Sequence, residues 1–122
     1  MGFVNQQGLS AEACARQFLE ASGLSTISSN YRCKFGEIDL IMRASDILVI
    51  VEVRLRRPSR FGSAAASVSS AKQRRIIKTT QYFLQQFPLY AAYRCRFDIV
   101  AYDDNSAVGI DPTWIRGAFS VD

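Results

Sequence analysis

Two apolar runs joined by a short polar segment stand out at residues 36–54 of the chain. In GEIDLIMRASDILVIVEVR, hydrophobic residues fill most positions on both sides of Ser45 and Asp46. Apolar runs of this length, bounded by turn residues, are typical of strands. The pattern therefore predicts a β-hairpin, whose turn is either Ser45-Asp46 or the four residues 44–47.

Two other segments repeat apolar residues at helical spacing. Residues 11–22 do so after the capping residue Ser10 and before Gly23, which is a common helix terminator. Residues 69–86 place apolar side chains on one side and basic or amide side chains on the other, and Pro88 follows them. Each segment is predicted to form an amphipathic helix.

The rest of the chain supplies weaker patterns. Residues 25–34 and 93–102 are expected to be strands, and residues 56–67, rich in basic and small side chains, to be a loop. The last fifteen residues are ambiguous, and we expect a short strand and then a helical turn at 113–116. The order helix, three strands, helix, strand predicts an α/β fold in a single domain over residues 1–122.

Composition narrows the function classes. The chain is 48% hydrophobic, yet no apolar run approaches the roughly 18 residues that span a bilayer. Its first residues lack the basic and hydrophobic stretches of a secretory signal, so we expect a cytoplasmic protein with no membrane partner. It contains no histidine, which excludes a Ser-His-Asp triad, a Cys-His pair and histidine-ligated zinc.

Charge is distributed unevenly along the chain. All 11 acidic residues lie outside the segment between Val53 and Phe97, and ten of the 15 basic residues lie inside it. A basic segment of this kind predicts a polyanionic partner, most often nucleic acid. The alternative is a basic surface that meets only solvent.

The predicted hairpin contains carboxylates inside strands that are otherwise apolar. With either turn, residues that pair across the strands share a face, so Asp39 is expected opposite Glu52, and Glu37 opposite Arg54. The other face is expected to be wholly apolar, with Ile38, Leu40 and Met42 set against Val49, Val51 and Val53. A three-residue turn would leave one carboxylate in the core and is therefore disfavoured.

Paired carboxylates require compensation of their charge. With Cβ atoms about 5 Å apart, Asp39 and Glu52 repel each other unless one binds a proton or a cation lies between them. Two carboxylates suit magnesium or manganese, and Arg54 on the same face could stabilise charge on a phosphate. The alternative is a network of ion pairs between Glu37, Glu52, Arg54 and Arg56 that needs no metal.

These motifs resemble a known nuclease signature. The arrangement D…E-x-R across a hairpin resembles the D…(D/E)-x-K signature of the restriction-endonuclease-like superfamily. Over about residues 8–119 the chain also resembles the YraN-type family of small endonuclease-like bacterial proteins. The segments that carry this resemblance are AEACARQFLEASG, GEIDLI, VEVR, RFGSAAASV and RFDIV.

The resemblance implies a restriction-endonuclease-like core, with a mixed central sheet of four to five strands flanked by helices. It also implies a Mg²⁺ or Mn²⁺ site formed by Asp39, Glu52, the main-chain carbonyl of Val53 and Glu12. Arg54 stands where the superfamily has lysine, and we count it with Asp39 and Glu52 as catalytic. Glu37 is expected to support these ligands from behind.

Two main functions remain open at this point. One is a metal-dependent nuclease, with structured or branched DNA among its candidate substrates. The other is a nucleic-acid-binding module without turnover, favoured by Arg54 in the lysine position; a protein-interaction domain is a third. DNA is expected more than RNA, and a homodimer is allowed but not required. Asp98 is expected to pair with a neighbouring arginine. The residues expected to contact nucleic acid are Arg56, Arg57, Arg60, Lys72, Arg74, Arg75 and Lys78.

Overall fold

A computed structural model describes residues 9–56, 68–103 and 111–121. Two helices, one short 3-10 turn and five strands follow one another in this part of the chain. In chain order they are α1 (Ala11–Ala21), β1 (Ser25–Cys33), β2 (Gly36–Ala44), β3 (Ile47–Arg56), α2 (Ser70–Gln86), the 3-10 turn (Pro88–Tyr90), β4 (Arg94–Asp103) and β5 (Thr113–Phe119).

The five strands form one mixed sheet in the order β1-β2-β3-β4-β5. The pair β3–β4 is parallel and the other three pairs are antiparallel. A parallel pair needs a long crossover, and α2 lies in the connection between β3 and β4. The predicted α/β fold with a mixed sheet is therefore confirmed, with five strands and two helices.

Each helix covers one face of the sheet. Leu19 of α1 packs in a cluster with Leu40 and Val51, whereas Phe83 of α2 packs in a separate cluster with Ile41. Neighbouring residues of β2 thus enter different clusters, because successive side chains of a strand point to opposite faces. Burial on both faces explains why β2 and β3 are nearly continuous apolar runs.

Both helices begin at serine caps. Ser10 Oγ accepts a hydrogen bond from the Ala13 amide, and Ser69 Oγ accepts one from the Lys72 amide, each at 3.2 Å. Such caps satisfy backbone donors that have no partner within the helix. The second cap fixes Lys72 in the first turn of α2, close to the end of the sheet where the acidic residues lie.

The hairpin has the predicted two-residue turn at Ser45 and Asp46. Ser45 adopts φ = 57°, a left-handed conformation of the kind that tight hairpin turns require. Arg43 pairs with Leu48, as the register predicts. The antiparallel ladder ends at Leu40 and Val51, however, so it does not reach the predicted pair of Asp39 and Glu52.

One prediction about packing and one about secondary structure are wrong. Ile38 packs in the α2-side cluster and not with Leu40. The regular alternation of faces breaks beside Asn30, which has φ = 55° and lies between the residues paired with Ile38 and Leu40. Residues 113–116 belong to β5 and not to a helical turn, because Thr, Trp and Ile favour a strand and the edge of β4 is available for pairing.

Part of the predicted nucleic-acid surface cannot be placed. The loop expected at 56–67 lies almost entirely outside the described residues, and with it Arg57 and Arg60. Arg56 ends β3, and only its backbone is described. No helix in the described ranges is long and apolar enough to cross a membrane.

Candidate functional site

Asp39 and Glu52 come together where β2 and β3 separate. Beyond Leu40 and Val51, the Asp39 carboxylate accepts a hydrogen bond of 2.8 Å from the Val53 amide. A side chain of β2 therefore takes the place of a backbone acceptor. Glu52 continues along β3, paired with Ile99 of β4, and its carboxyl group is close enough to that of Asp39 for the two groups to interact.

Burial and the nearby charge of Glu52 shift the pKa of Asp39. Glu52 is only 4% exposed, and Asp39 is half-buried. Burial, with a further contribution from the negative charge of Glu52, raises the pKa of Asp39 to about 7. The hydrogen bond from Val53 and the positive charge of Lys72 act in the opposite direction. The Asp39 carboxyl group therefore changes its charge near neutral pH.

Two cationic side chains compensate the charge of Glu52. Lys72 Nζ lies 2.6 Å from Glu52 Oε2, and Arg54 Nη1 lies 3.6 Å from the same oxygen. Both cationic side chains are 32% exposed, so solvent reaches them. Lys72 was expected on the nucleic-acid surface, and α2 also brings it into contact with Glu52. The sequence could not reveal this contact, because it joins residues twenty positions apart on different elements.

Glu37 does not join this network. It pairs with Arg32 at 3.2 Å on the exposed edge formed with β1. The predicted pairing of Glu37 with Arg54 is wrong, because β2 and β3 no longer pair beyond Leu40. The ion-pair alternative is thus present in part, with Glu52 bonded to Arg54 and Lys72.

A polar pocket reaches Asp39 from the α1 side of the sheet. Its volume is about 170 Å³, and Glu12, Arg16 and Asn30 line it together with Asp39. Burial raises the pKa of Glu12, and the negative charges of Asp39 and Glu37 raise it further. Glu12 thus lines the same pocket as Asp39, as a helix acid near the site should.

Two buried guanidinium nitrogens lie near the carboxylates without a hydrogen-bond acceptor in the described part of the chain. They are Nε of Arg16, in the α1-side pocket, and Nε of Arg54, beside Glu52. A buried donor without a partner is unfavourable. Both nitrogens are therefore suited to bind an anion such as phosphate.

The donor set at Asp39 and Glu52 fits a hard divalent cation. Within the described residues no group of three or more histidine, cysteine, aspartate or glutamate side chains forms a ready-made cage. Magnesium does not need one, because it is commonly bound by one or two carboxylates and completes its shell with water and substrate phosphate. Two adjacent carboxylates, of which Asp39 is half-buried, meet that requirement.

Three predicted nucleic-acid contacts lie on the solvent-facing side of α2. Arg74, Arg75 and Lys78 are exposed, and none forms an ion pair with a carboxylate among the residues that the structure places. The β1–β2 turn adds Lys34 and Phe35 to this surface. Lys34 was not among the expected contacts, because it precedes the basic segment in the chain and only the fold brings it to α2.

Asp98 is separate from the site. It is fully buried and accepts hydrogen bonds from Arg96, Trp114 and Gly117 at 2.9 to 3.0 Å. The expected pairing with a neighbouring arginine is confirmed. Asp98 attaches β5 to β4 and has no role in the carboxylate pair.

Comparison with known proteins identifies the family. Residues 11–102 match the model of "Uncharacterised protein family UPF0102". A UPF0102 protein of Nitrosomonas europaea is 46% identical over 119 residues, covering 98% of each chain. One from Methylobacillus flagellatus is 44% identical over 117 residues, covering 96% of this chain and 99% of the relative. The chain therefore belongs to the UPF0102 family.

Proposed function

We propose that this protein is a Mg²⁺- or Mn²⁺-dependent nuclease. The observation that carries the proposal is the close approach of the Asp39 and Glu52 carboxylates at the point where β2 and β3 separate. A sheet interior does not retain two adjacent carboxylates without compensation, because burial of like charges is unfavourable. A metal ion bound between them would compensate both charges.

Asp39 and Glu52 would hold the metal ion, with Glu12 approaching from the α1-side pocket. Bound there, the ion would polarise a phosphodiester and lower the pKa of a coordinated water. The carbonyl of Val53 lies next to Glu52 in the chain and is a further candidate ligand. The resemblance to restriction-endonuclease-like enzymes supports the same assignment.

The cationic side chains would position the phosphate. Arg54 presents a planar guanidinium group, whose N–H donors match the geometry of phosphate oxygens. Its Nε–H group, and that of Arg16, can each donate a hydrogen bond to a phosphate oxygen. Lys72 would exchange its contact with Glu52 for one with the substrate once a metal ion compensates that carboxylate.

A second candidate is a nucleic-acid-binding module that does not cut its ligand. The observation that favours it is the compensation of Glu52 by Lys72 and Arg54, which balances its charge without a metal ion. The basic face of α2 would serve such a module equally well. The chain also has Arg54 at the position where the superfamily that it resembles commonly has a catalytic lysine.

A cleavage assay separates the two candidates. The protein is incubated with single-stranded, double-stranded and branched DNA and with RNA, in Mg²⁺, Mn²⁺ or EDTA. Metal-dependent cutting that Asp39→Asn abolishes, and that the control Glu37→Gln retains, supports the nuclease. Binding without cutting of any substrate supports the module. Glu37 is a suitable control because it is an exposed carboxylate of the same strand.

A further inference from the structure

An aromatic and cationic cluster lies where the β1–β2 turn contacts α2. The ring centroids of Phe35 and Tyr82 are 5.8 Å apart, at an interplanar angle of 66°. Lys34 Nζ lies 5.2 Å from the Phe35 ring centroid, and Lys78 Nζ lies 4.8 Å from it. One half-buried ring is thus in contact with two exposed ammonium groups.

Gly36 allows the turn to approach α2 this closely. Its φ of 150° lies in a region that other residues rarely adopt, and a Cβ atom there would lie 3.2 Å from Thr79 Oγ1 and 3.8 Å from Arg75 Cβ. The turn therefore rests directly on the helix. Phe35 packs against Tyr82 beside the exposed basic residues, and a side chain already in place lowers the entropic cost of binding a ligand there.

The two lysines are not committed to a partner in the protein. Neither Lys34 nor Lys78 forms an ion pair with a carboxylate in the described ranges. Stacking of a nucleobase on an aromatic ring is stronger than an exposed cation–π contact. A base can therefore displace an ammonium group from the Phe35 ring, and that group remains free to bind a phosphate.

We infer that Phe35, with Tyr82, Lys34 and Lys78, binds an unpaired nucleobase and the phosphates on either side of it. This inference rests on the proposed function and specifies the substrate class as nucleic acid that contains unpaired bases. Paired bases in a duplex do not offer a free face to the ring. From Lys72 to Lys78 the helix advances roughly 9 Å, so a strand held at Phe35 lies close to the carboxylate pair.

Direct binding of three labelled ligands tests the inference in EDTA, so that no strand is cut. The ligands are a short oligothymidylate, an abasic strand with the same number of phosphates, and a blunt duplex. The wild type should bind the oligothymidylate at least about fivefold more tightly than the abasic strand. Equal affinity for these two strands, or no binding of either in low salt, would overturn the inference without any variant.

Variants then locate the contact. Phe35→Leu keeps an apolar side chain but loses the ring, so it should weaken oligothymidylate binding by about fivefold to a hundredfold and leave the abasic strand unaffected. Phe35→Trp should retain the affinity. The control is Phe87→Leu, at an exposed ring that contacts Phe83 at the far end of α2. Equal losses on both strands, or an equal effect of the control, would contradict base stacking at Phe35.

The outcome is separable from that of the cleavage assay. Base-dependent binding that Phe35→Leu removes would stand even if no substrate were cut, and the protein would then be the binding module. Metal-dependent cutting without any preference for unpaired bases would uphold the nuclease and reject this binding site.

Discussion

Lys72 Nζ lies 2.6 Å from Glu52 Oε2, so a helix residue compensates a carboxylate buried within strand β3. The contact joins the first turn of α2 to the centre of the sheet. Glu52 is only 4% exposed, so its negative charge is compensated by Lys72 and by Arg54, whose Nη1 lies 3.6 Å from Glu52 Oε2. A divalent ion at Asp39 and Glu52 would compensate the same negative charge. The ion and the Lys72 ammonium group are therefore expected to substitute for each other.

Lys72→Met should destabilise the metal-free protein and make metal ions more stabilising. Removal of one partner leaves a buried charge incompletely compensated, and we expect a loss of about 1–3 kcal/mol in the free energy of unfolding, since Arg54 remains. Magnesium should then raise Tm more in Lys72→Met than in the wild type. Thermal unfolding with and without Mg²⁺ measures both effects. The matched control is Lys78→Met, because Lys78 is exposed and forms no ion pair with Glu52. An equal metal response of both variants would show that Lys72 and the ion do not compete.

Stability of the metal-free protein should fall as pH rises from about 4 to about 7. The pKa of Asp39 is raised to about 7 from its ordinary value of 3.8, so in this interval the folded state binds more protons than the unfolded state. Its stabilising contribution is complete below about pH 4 and is lost as pH passes through about 7. Urea unfolding in EDTA across this range measures the slope. Asp39→Asn should reduce it, whereas Asp46→Asn, at the exposed hairpin turn, should not. A slope unaffected by Asp39→Asn would show that the Asp39 carboxyl group does not cause the pH dependence of stability.

The elements were predictable from the sequence because their signals are local. The cap at Ser10, the proline at position 88 and the turn at Ser45 define element ends within a few residues of chain. The alternation of side chains along the strands then places Asp39 near Glu52, since a shift of the strand pairing by one residue would bury a carboxylate. These signals sufficed for the two helices, the hairpin and the proximity of the two carboxylates.

The rest depends on contacts distant in the chain. Lys72 reaches Glu52, and Phe35 reaches Tyr82, only because α2 crosses the sheet at a particular angle. Nothing in the local pattern around Asn30 indicates that Ile38 joins the α2 side. Residues 113–116 were assigned to a turn because their strand depends on the edge of β4, which is distant in sequence.

Divalent ions should raise Tm through Asp39 and Glu52. A ligand that binds only the folded state stabilises it in proportion to RT ln(1 + [L]/Kd), so the increment should grow with Mg²⁺ or Mn²⁺ concentration. It should also be larger above pH 7, where the Asp39 carboxyl group is ionised. Glu52→Gln should remove the increment, and Glu37→Gln should keep it. No change in the wild-type Tm up to high millimolar metal would favour the ion-pair arrangement alone.

Asp98→Asn should destabilise the fold and leave metal binding intact. The fully buried carboxylate accepts hydrogen bonds from Arg96, Trp114 and Gly117, and the substitution leaves Arg96 without its charge partner. Breaking a buried ion pair of this kind costs about 3–5 kcal/mol. Urea unfolding measures the loss, and Asp46→Asn is the exposed control. The metal-induced rise in Tm should persist in Asp98→Asn, and its disappearance would show that Asp98 contributes to the site.

Nucleic-acid affinity should depend steeply on salt, with the exposed face of α2 responsible for a defined part of the slope. On duplex DNA each phosphate contact contributes about −0.9 to the slope of log affinity against log salt concentration. Arg74 and Lys78 lie about one helical turn apart, are exposed, and form no ion pair with a described carboxylate. Replacing both with alanine should make the slope shallower by up to about two.

The matched control removes the same charge elsewhere. Arg43 and Arg94 are also exposed, and they lie at the opposite end of the hairpin, where Arg94 pairs with Ile47 at the start of β3. Their double alanine variant should retain the wild-type slope, because a contact made at α2 does not extend to that end. Fluorescence anisotropy with duplex DNA over a range of salt concentrations compares the two variants. Equal changes in slope would mean that affinity follows net charge alone. A slope that becomes shallower only in the α2 variant would locate the phosphate contacts on the helix that also places Lys72 beside Glu52.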